Sequence, residues 1–188
     1  MLRIFTFVFA LVCAEPALAQ EPKLPAGVEP MNALVIDTTK GRVIVKLRTD
    51  LAPKHAERLK QLARDGYYNN VPWHRVMDGF MAQTGDGKNF NGTGGSQYPN
   101  LAAEFTPTPF TRGIVGMARS NDPNSANSQF FITFGDASSL NGKYTVIGEV
   151  VSGMDVVDKL KKAPAGSQSG TVTDPDKMTK VQVAADMK

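Results

Sequence analysis

Thiols are almost missing from this chain. A single cysteine, Cys13, occurs in 188 residues, so no intrachain disulfide can form and the fold must be held by its core. Histidine is nearly as scarce, with only His55 and His74, and these two cannot assemble a zinc site of the usual spacing. A Gly-x-Ser-x-Gly elbow is also missing; the one similar run, Gly166-Ser167-Gln168-Ser169-Gly170, puts glutamine where the nucleophile would stand. Hydrolytic and redox chemistry are therefore poorly supported, and no metal or cofactor is expected. The net charge is only +3 and the cations are spread along the chain instead of forming a block, which argues against a nucleic-acid partner. The leading apolar run, Ile4 to Val12, is too short to cross a bilayer, so no membrane association is expected.

That run instead reads as the core of a secretory signal over 1–19. Arg3 precedes it, and Ala17-Leu18-Ala19 before Gln20 forms a small-residue cleavage site. Cys13 follows Val12, where a lipoprotein site would want a small residue. A soluble, exported, thiol-free chain starting at Gln20 is the expectation. Residues 20–32 are proline-rich and aperiodic and read as a flexible lead-in, leaving 33–188 as one domain.

Within that domain, Ala33 to Asp37 and Arg42 to Leu47 are β-branched runs across a Thr38-Thr39-Lys40-Gly41 turn, a hairpin signature. Pro53 to Asp65, stopped by Gly66, has an apolar face of Ala56, Leu59, Leu62 and Ala63 and predicts an amphipathic helix with His55 solvated. Further strands are predicted over Gly113 to Ala118, Gln129 to Phe134, Tyr144 to Val151 and Lys180 to Ala184, with a second helix over Met154 to Lys162. Many strands, glycine turns and a helix near each end suggest a closed antiparallel barrel capped by helices.

The stretch from Trp73 to Asp86 carries the chemistry. Val71, Trp73, Arg75 and Met77 share one strand parity, Met81 and Gln83 share another, and Gly79 can swing Phe80 round to join Arg75. A guanidinium beside an apolar floor leaves two readings open: an ion-paired core arginine, or a functional donor. His74, on the opposite parity, reads as a structural hydrogen-bonding residue. Strand alternation forbids Phe130 and Phe131 from facing the same way, and Phe130 is assigned to the core. The glycine-rich run Gly85 to Gly95 lacks the Gly-Lys-Ser/Thr ending of a nucleotide loop, and Lys88 stands where a calcium loop wants a second carboxylate.

Four motifs, Trp73–Asp86, Gly92-Thr93-Gly94-Gly95, Ser128-Gln129-Phe130-Phe131-Ile132 and Leu140-Asn141-Gly142-Lys143-Tyr144, resemble in order and spacing the cyclophilin family of peptidyl-prolyl isomerases. The resemblance covers Ala33 to Ala184, and the leader makes the chain look like the exported, periplasmic bacterial members. It implies a mainly β fold, an eight-stranded closed antiparallel barrel capped by two α-helices. It also implies a cofactor-free monomer acting on proline-containing peptides and on unfolded or partly folded exported proteins. The catalytic residues it implies are Arg75, Phe80 and Gln83. Met81, Ala118, Arg119, Gln129, Phe131, Leu140 and Tyr144 are implied to bind substrate. The chain departs from the common pattern at Trp73 (often phenylalanine), Thr84 (often glycine), Arg119 (often asparagine), Ser139 (often tryptophan) and Tyr144 (often histidine). These departures leave the arginine and the apolar pocket intact.

Overall fold

The computed structural model describes residues 23–187; the proposed signal segment lies outside them. Nine strands form one sheet: β1 (Ala33–Thr38), β2 (Gly41–Leu47), β3 (Val71–Pro72), β4 (Arg75–Met77), β5 (Met81–Thr84), β6 (Ile114–Met117), β7 (Phe130–Thr133), β8 (Val146–Ser152) and β9 (Lys177–Val183). Two helices, α1 (Pro53–Arg64) and α2 (Met154–Asp158), lie against it. Every pairing is antiparallel, in the order β3-β9-β1-β2-β8-β6-β7-β5-β4.

The expectation of a closed eight-stranded barrel is corrected here: the sheet is open and curled, with β3 and β4 at its two edges. The reason lies in the Val71–Met77 run. Its two halves continue in the same chain direction, so no antiparallel register between them is possible, and Trp73–His74 interrupts the ladder. The gap is bridged by a distant segment. Trp73 N–H donates to the Asp176 carbonyl (2.9 Å), Val172 N–H to the His74 carbonyl (3.1 Å) and Val76 N–H to the Gly170 carbonyl (2.9 Å), while the Val76 carbonyl accepts from Ala163 N–H (2.9 Å). The edge of β4 is therefore covered, which removes a template for aggregation. The Thr84 hydroxyl, at a position where the family often has glycine, adds a bond to the Pro72 carbonyl (2.9 Å).

Alternation sorts the side chains into two apolar bodies. Val76, Ala82, Val115, Met117, Phe130 and Ile132 point into the main core with Trp73, Tyr68 and the α1 residues Ala56, Leu59, Leu62 and Ala63. Phe130 meets the edges of Tyr68 and Trp73 at 5.7 and 6.1 Å. The opposite parity of the same strands sends Met81 and Phe131 into a smaller cluster with Phe110, Ala137 and Val146, against which Phe80, Leu140 and Tyr144 pack. Leu24 and Val28 of the proline-rich lead-in pack against Ala33, Val35, Ile44 and Ala184.

Two local expectations change. The second helix ends at Asp158, not Lys162, because Lys159 N–H turns back to the Val156 carbonyl (3.1 Å) and Leu160 N–H to the Val157 carbonyl (3.1 Å), closing it with a tighter turn; Val157 and Leu160 are nonetheless buried as read. His55 is not solvated but fully buried. Its Nδ1 lies 2.6 Å from Glu104 Oε2, and the same carboxylate accepts the backbone N–H groups of Lys54 and His55 at the start of α1. Proline at the first turn and no side-chain cap of its own leave that helix end in need of an external acceptor, which Glu104 supplies.

Candidate active site

The antiparallel register of β4 and β5 places Arg75 opposite Gln83 and Met77 opposite Met81, and β5 sets Gln83 opposite Phe131 on β7. This pleat builds a pocket of about 190 Å³ lined by Arg75, Phe80, Met81, Gln83, Ala118, Arg119, Phe131, Leu140 and Tyr144. Nine of the ten residues singled out from the sequence thus surround one cleft. The tenth, Gln129, lines an adjoining larger cavity that shares Gln83, Ala118 and Arg119 with the first.

Arg75 is half-buried, and no carboxylate pairs with it among the described residues. The ion-paired core reading is thereby set aside. Nε–H donates to the Ser169 carbonyl (2.9 Å) and Nη1 to Gln83 Oε1 (3.3 Å), while Nη2 faces the Met77 sulfur at 3.1 Å. Only two of the five N–H donors thus meet oxygen; sulfur is a weak acceptor and leaves the rest available. Burial pulls the guanidinium pKa below its ordinary value, with Tyr144 opposing, yet an arginine stays charged at neutral pH.

A relay of amides fixes the arginine's partner. Gln83 Nε2 donates to Gln129 Oε1 (2.9 Å), and Gln129 Nε2 donates to the carbonyls of Gly92 (2.9 Å) and Gly94 (2.8 Å). Gln129 is therefore held by the glycine loop, which holds Gln83, which accepts from Arg75. The loop in turn is wound about Asp86, a buried carboxylate unrecognised in the sequence reading. Its Oδ1 accepts from the backbone N–H of Lys88 and Asn89, and its Oδ2 from those of Asn91, Gly92 and Gly94, at 2.8 to 3.2 Å. Burial alone would raise the Asp86 pKa, but these bonds outweigh it and hold it below the ordinary value. Gly94 is obligatory, since a Cβ there would stand 2.2 Å from Asp86 Oδ1.

The apolar wall is aromatic. Phe131 stacks on Phe110 (centroids 5.6 Å, 27°) and takes the edge of Tyr144 on its other side (5.7 Å, 86°). Gly116 permits this approach, because an added Cβ would lie 2.5 Å from Phe131 Cζ. Arg119 sits over Tyr144 at 4.5 Å and donates to the Lys143 carbonyl through Nε (3.1 Å) and Nη2 (2.9 Å) and to the Ser120 carbonyl through Nη1 (2.8 Å). Leu140 reaches the pocket from a short 3₁₀ turn, Ser138–Leu140.

His74 departs from the expected hydrogen-bonding role. It is buried, neither ring nitrogen has a partner, and it packs against the loop where Gly92 (φ +92°) approaches it. Burial lowers its pKa from 6.5, with Asp86 and the Pro72 backbone, near the ring but outside good hydrogen-bond geometry, opposing and Arg75 assisting, and burial lowers that of His55 as well, with Glu104 opposing. The folded chain thus favours neutral imidazoles. Their contribution to stability is complete above the unfolded value near 6.5 and is lost as pH falls below it. Denaturant titrations should give a smaller unfolding free energy at pH 5.5 than at 7.5, and His74→Gln should flatten that slope. An unchanged slope in this variant would remove His74 from the account.

Comparison with known proteins identifies the family. Residues 33–183 match the family described as "Cyclophilin type peptidyl-prolyl cis-trans isomerase/CLD". The "Probable peptidyl-prolyl cis-trans isomerase" of Brucella suis is 54% identical over 170 residues, covering 85% of this chain and 86% of that protein. The human "Peptidyl-prolyl cis-trans isomerase-like 3" is 35% identical over 141 residues, 73% of this chain and 86% of that one. Among solved structures, cyclophilin AquaCyp293 from Hirschia baltica superposes with a TM-score of 0.77 at 26% identity, covering 86% of this chain and 77% of its own. A Cryptosporidium parvum cyclophilin type peptidyl-prolyl cis-trans isomerase, crystallised in the presence of the dipeptide Ala-Pro, gives 0.72 at 27%, covering 80% and 98%. The chain belongs to the cyclophilin-type peptidyl-prolyl cis-trans isomerases, and it is an isomerase.

Proposed function

We propose that the Arg75 cleft accelerates X–Pro isomerisation by hydrogen bonding to the twisted amide. An X–Pro bond turns over a barrier of about 18–20 kcal/mol because resonance must be broken, and no covalent chemistry is needed to lower it. As the bond twists, the prolyl nitrogen regains its lone pair and becomes an acceptor. A donor aimed at that nitrogen then binds the transition state better than either planar ground state. The observation that carries this reading is the position of Arg75: charged, anchored through Nε to Ser169, with spare N–H groups facing the Met81–Phe131 pocket. Phe80, Met81, Phe131 and Leu140 hold the proline ring out of water, Tyr144 and Ala118 complete the wall, and Gln83 holds flanking backbone while one side of the bond rotates against the other. Gln129 acts through Gln83, because its amide is already bound to Gly92 and Gly94. An Arg75→Ala protein that keeps its fold should lose this acceleration.

We further propose that the enzyme works outside the cytoplasm, in the periplasm of its host, on unfolded or partly folded exported proteins. The support is the leader sequence, with Arg3, the apolar run and the Ala17-Leu18-Ala19 site. Intact-mass measurement of protein recovered from the extracytoplasmic fraction should find a chain beginning at Gln20 with no thiol. A retained Met1, or a lipid on Cys13, would overturn this.

A further inference from the structure

The Arg75 guanidinium is flanked by two thioethers. Met77 Sδ lies 3.1 Å from Nη2 and Met81 Sδ 3.8 Å from Nη1. They differ in access: Met81 is only 2% exposed in the wall of the pocket, whereas Met77 stands on the edge strand β4 and is half-buried. Met77 is also held in place. A Cβ added to Gly170 (φ +71°) would stand 2.4 Å from its Cγ and 3.2 Å from its sulfur, so the segment that supplies the Ser169 anchor of Arg75 closes over the methionine as well. On its other side the side chain packs against the cluster of Met81 and Phe131. Residues 23–187 contain no cysteine, which leaves methionine as the sulfur there that an oxidant can reach.

Resting on the isomerase reading of the Arg75 pocket, we propose that Met77 is an oxidation site through which a peroxide turns the enzyme down reversibly. Hydrogen peroxide transfers one oxygen to the thioether: the S–O bond forms, the O–O bond breaks, sulfur gives up two electrons and the other oxygen leaves as water. A weak sulfur acceptor is thereby exchanged for a polar sulfoxide oxygen. In either epimer that oxygen sits one bond from a sulfur already touching the guanidinium. An N–H···O bond alone spans about 2.7–3.2 Å, so no oxygen fits within the 3.1 Å between sulfur and Nη2. The clamp of Gly170 keeps the methionine from swinging clear, and the guanidinium gives way instead. Its spare donors are then drawn to the sulfoxide and away from the prolyl nitrogen, while the apolar wall is untouched. Met77 is thus a positioning residue that acts through Arg75.

The test exposes the purified protein to hydrogen peroxide, locates the added oxygen by peptide mass mapping, and measures kcat and KM on a proline peptide. Oxidation at Met77 should lower kcat about tenfold to a hundredfold, the scale of one lost hydrogen bond to a charged group. KM should change little, because Phe131 and Leu140 still hold the ring. Methionine sulfoxide reductases for the two epimers should restore the rate. Met77→Leu, compared with itself before and after peroxide, should keep its own rate even though Met31, 51% exposed in the Pro30–Asn32 turn, is oxidised as before. Undiminished kcat in protein carrying the Met77 sulfoxide, no oxygen on Met77 once Met31 is fully oxidised, or an equal loss in Met77→Leu would overturn the site. Failure of the protein to isomerise the peptide before any oxidant is added would instead overturn the reading of the Arg75 pocket.

Discussion

Replacing Arg75 by alanine should lower kcat/KM for X–Pro isomerisation about 10²- to 10³-fold while the protein stays folded. That range is the usual loss when a donor aimed at developing transition-state charge is removed from a desolvated site, about 3–4 kcal/mol. Arg75 lies on the edge strand β4, half-exposed, and its strong hydrogen bonds go to one carbonyl and one amide. Its removal therefore leaves no buried charge behind. Binding of a proline peptide should change much less than turnover, because Phe80, Met81, Phe131 and Leu140 still hold the ring. Arg75→Lys should recover only part of the rate, since an ammonium cannot take the Ser169 anchor and face the pocket as one planar group. Near-normal turnover by a folded Arg75→Ala protein would remove the guanidinium from the mechanism.

Asp86→Asn should be the most costly single-atom change in the loop, lowering stability by about 3–5 kcal/mol. The carboxylate accepts five backbone N–H groups while fully buried. An asparagine keeps one oxygen and turns an NH₂ toward donors, leaving several N–H groups buried without partners. With melting shifts of about 2–4 °C per kcal/mol at this chain length, the midpoint should fall by roughly 10 °C. Activity should fall with it at temperatures where the variant is still folded, because Gly92 and Gly94 no longer fix Gln129 and, through it, Gln83. Hydrogen exchange at Gly92 and Gly94 reads the loop directly. An unshifted midpoint with retained protection at those two amides would show that the loop does not depend on Asp86.

The apolar half of the cleft was legible because strand alternation is local. Parity alone separated Phe130 from Phe131, and the Gly79 bend brought Phe80, Met81 and Gln83 to the side of Arg75. Helix α1 and most strands were legible for the same reason. What escaped the reading depends on partners remote in sequence. Nothing near His55 signals Glu104, which lies 49 residues on, and nothing near Trp73 signals that residues 170–176 will break the run into β3 and β4. Asp86 had a local signal, an aspartate opening a glycine-rich loop. The sequence reading tested that loop for an external phosphate or cation, whereas its ligands are the loop's own amides. Gln129, expected to bind substrate, lines the adjoining cavity, and its commitment to Gly92 and Gly94 required the folded loop to be seen.

The central claim is that the cleft catalyses isomerisation by differential hydrogen bonding alone. Its most direct test is magnetisation-exchange NMR on a short X–Pro peptide with a catalytic amount of the purified protein, with and without a chelator. The account predicts that the cis-to-trans and trans-to-cis rates rise by one common factor, that the cis/trans ratio of free peptide stays fixed, and that the chelator changes neither. Exchange at the uncatalysed rate, or acceleration that the chelator removes, would contradict it.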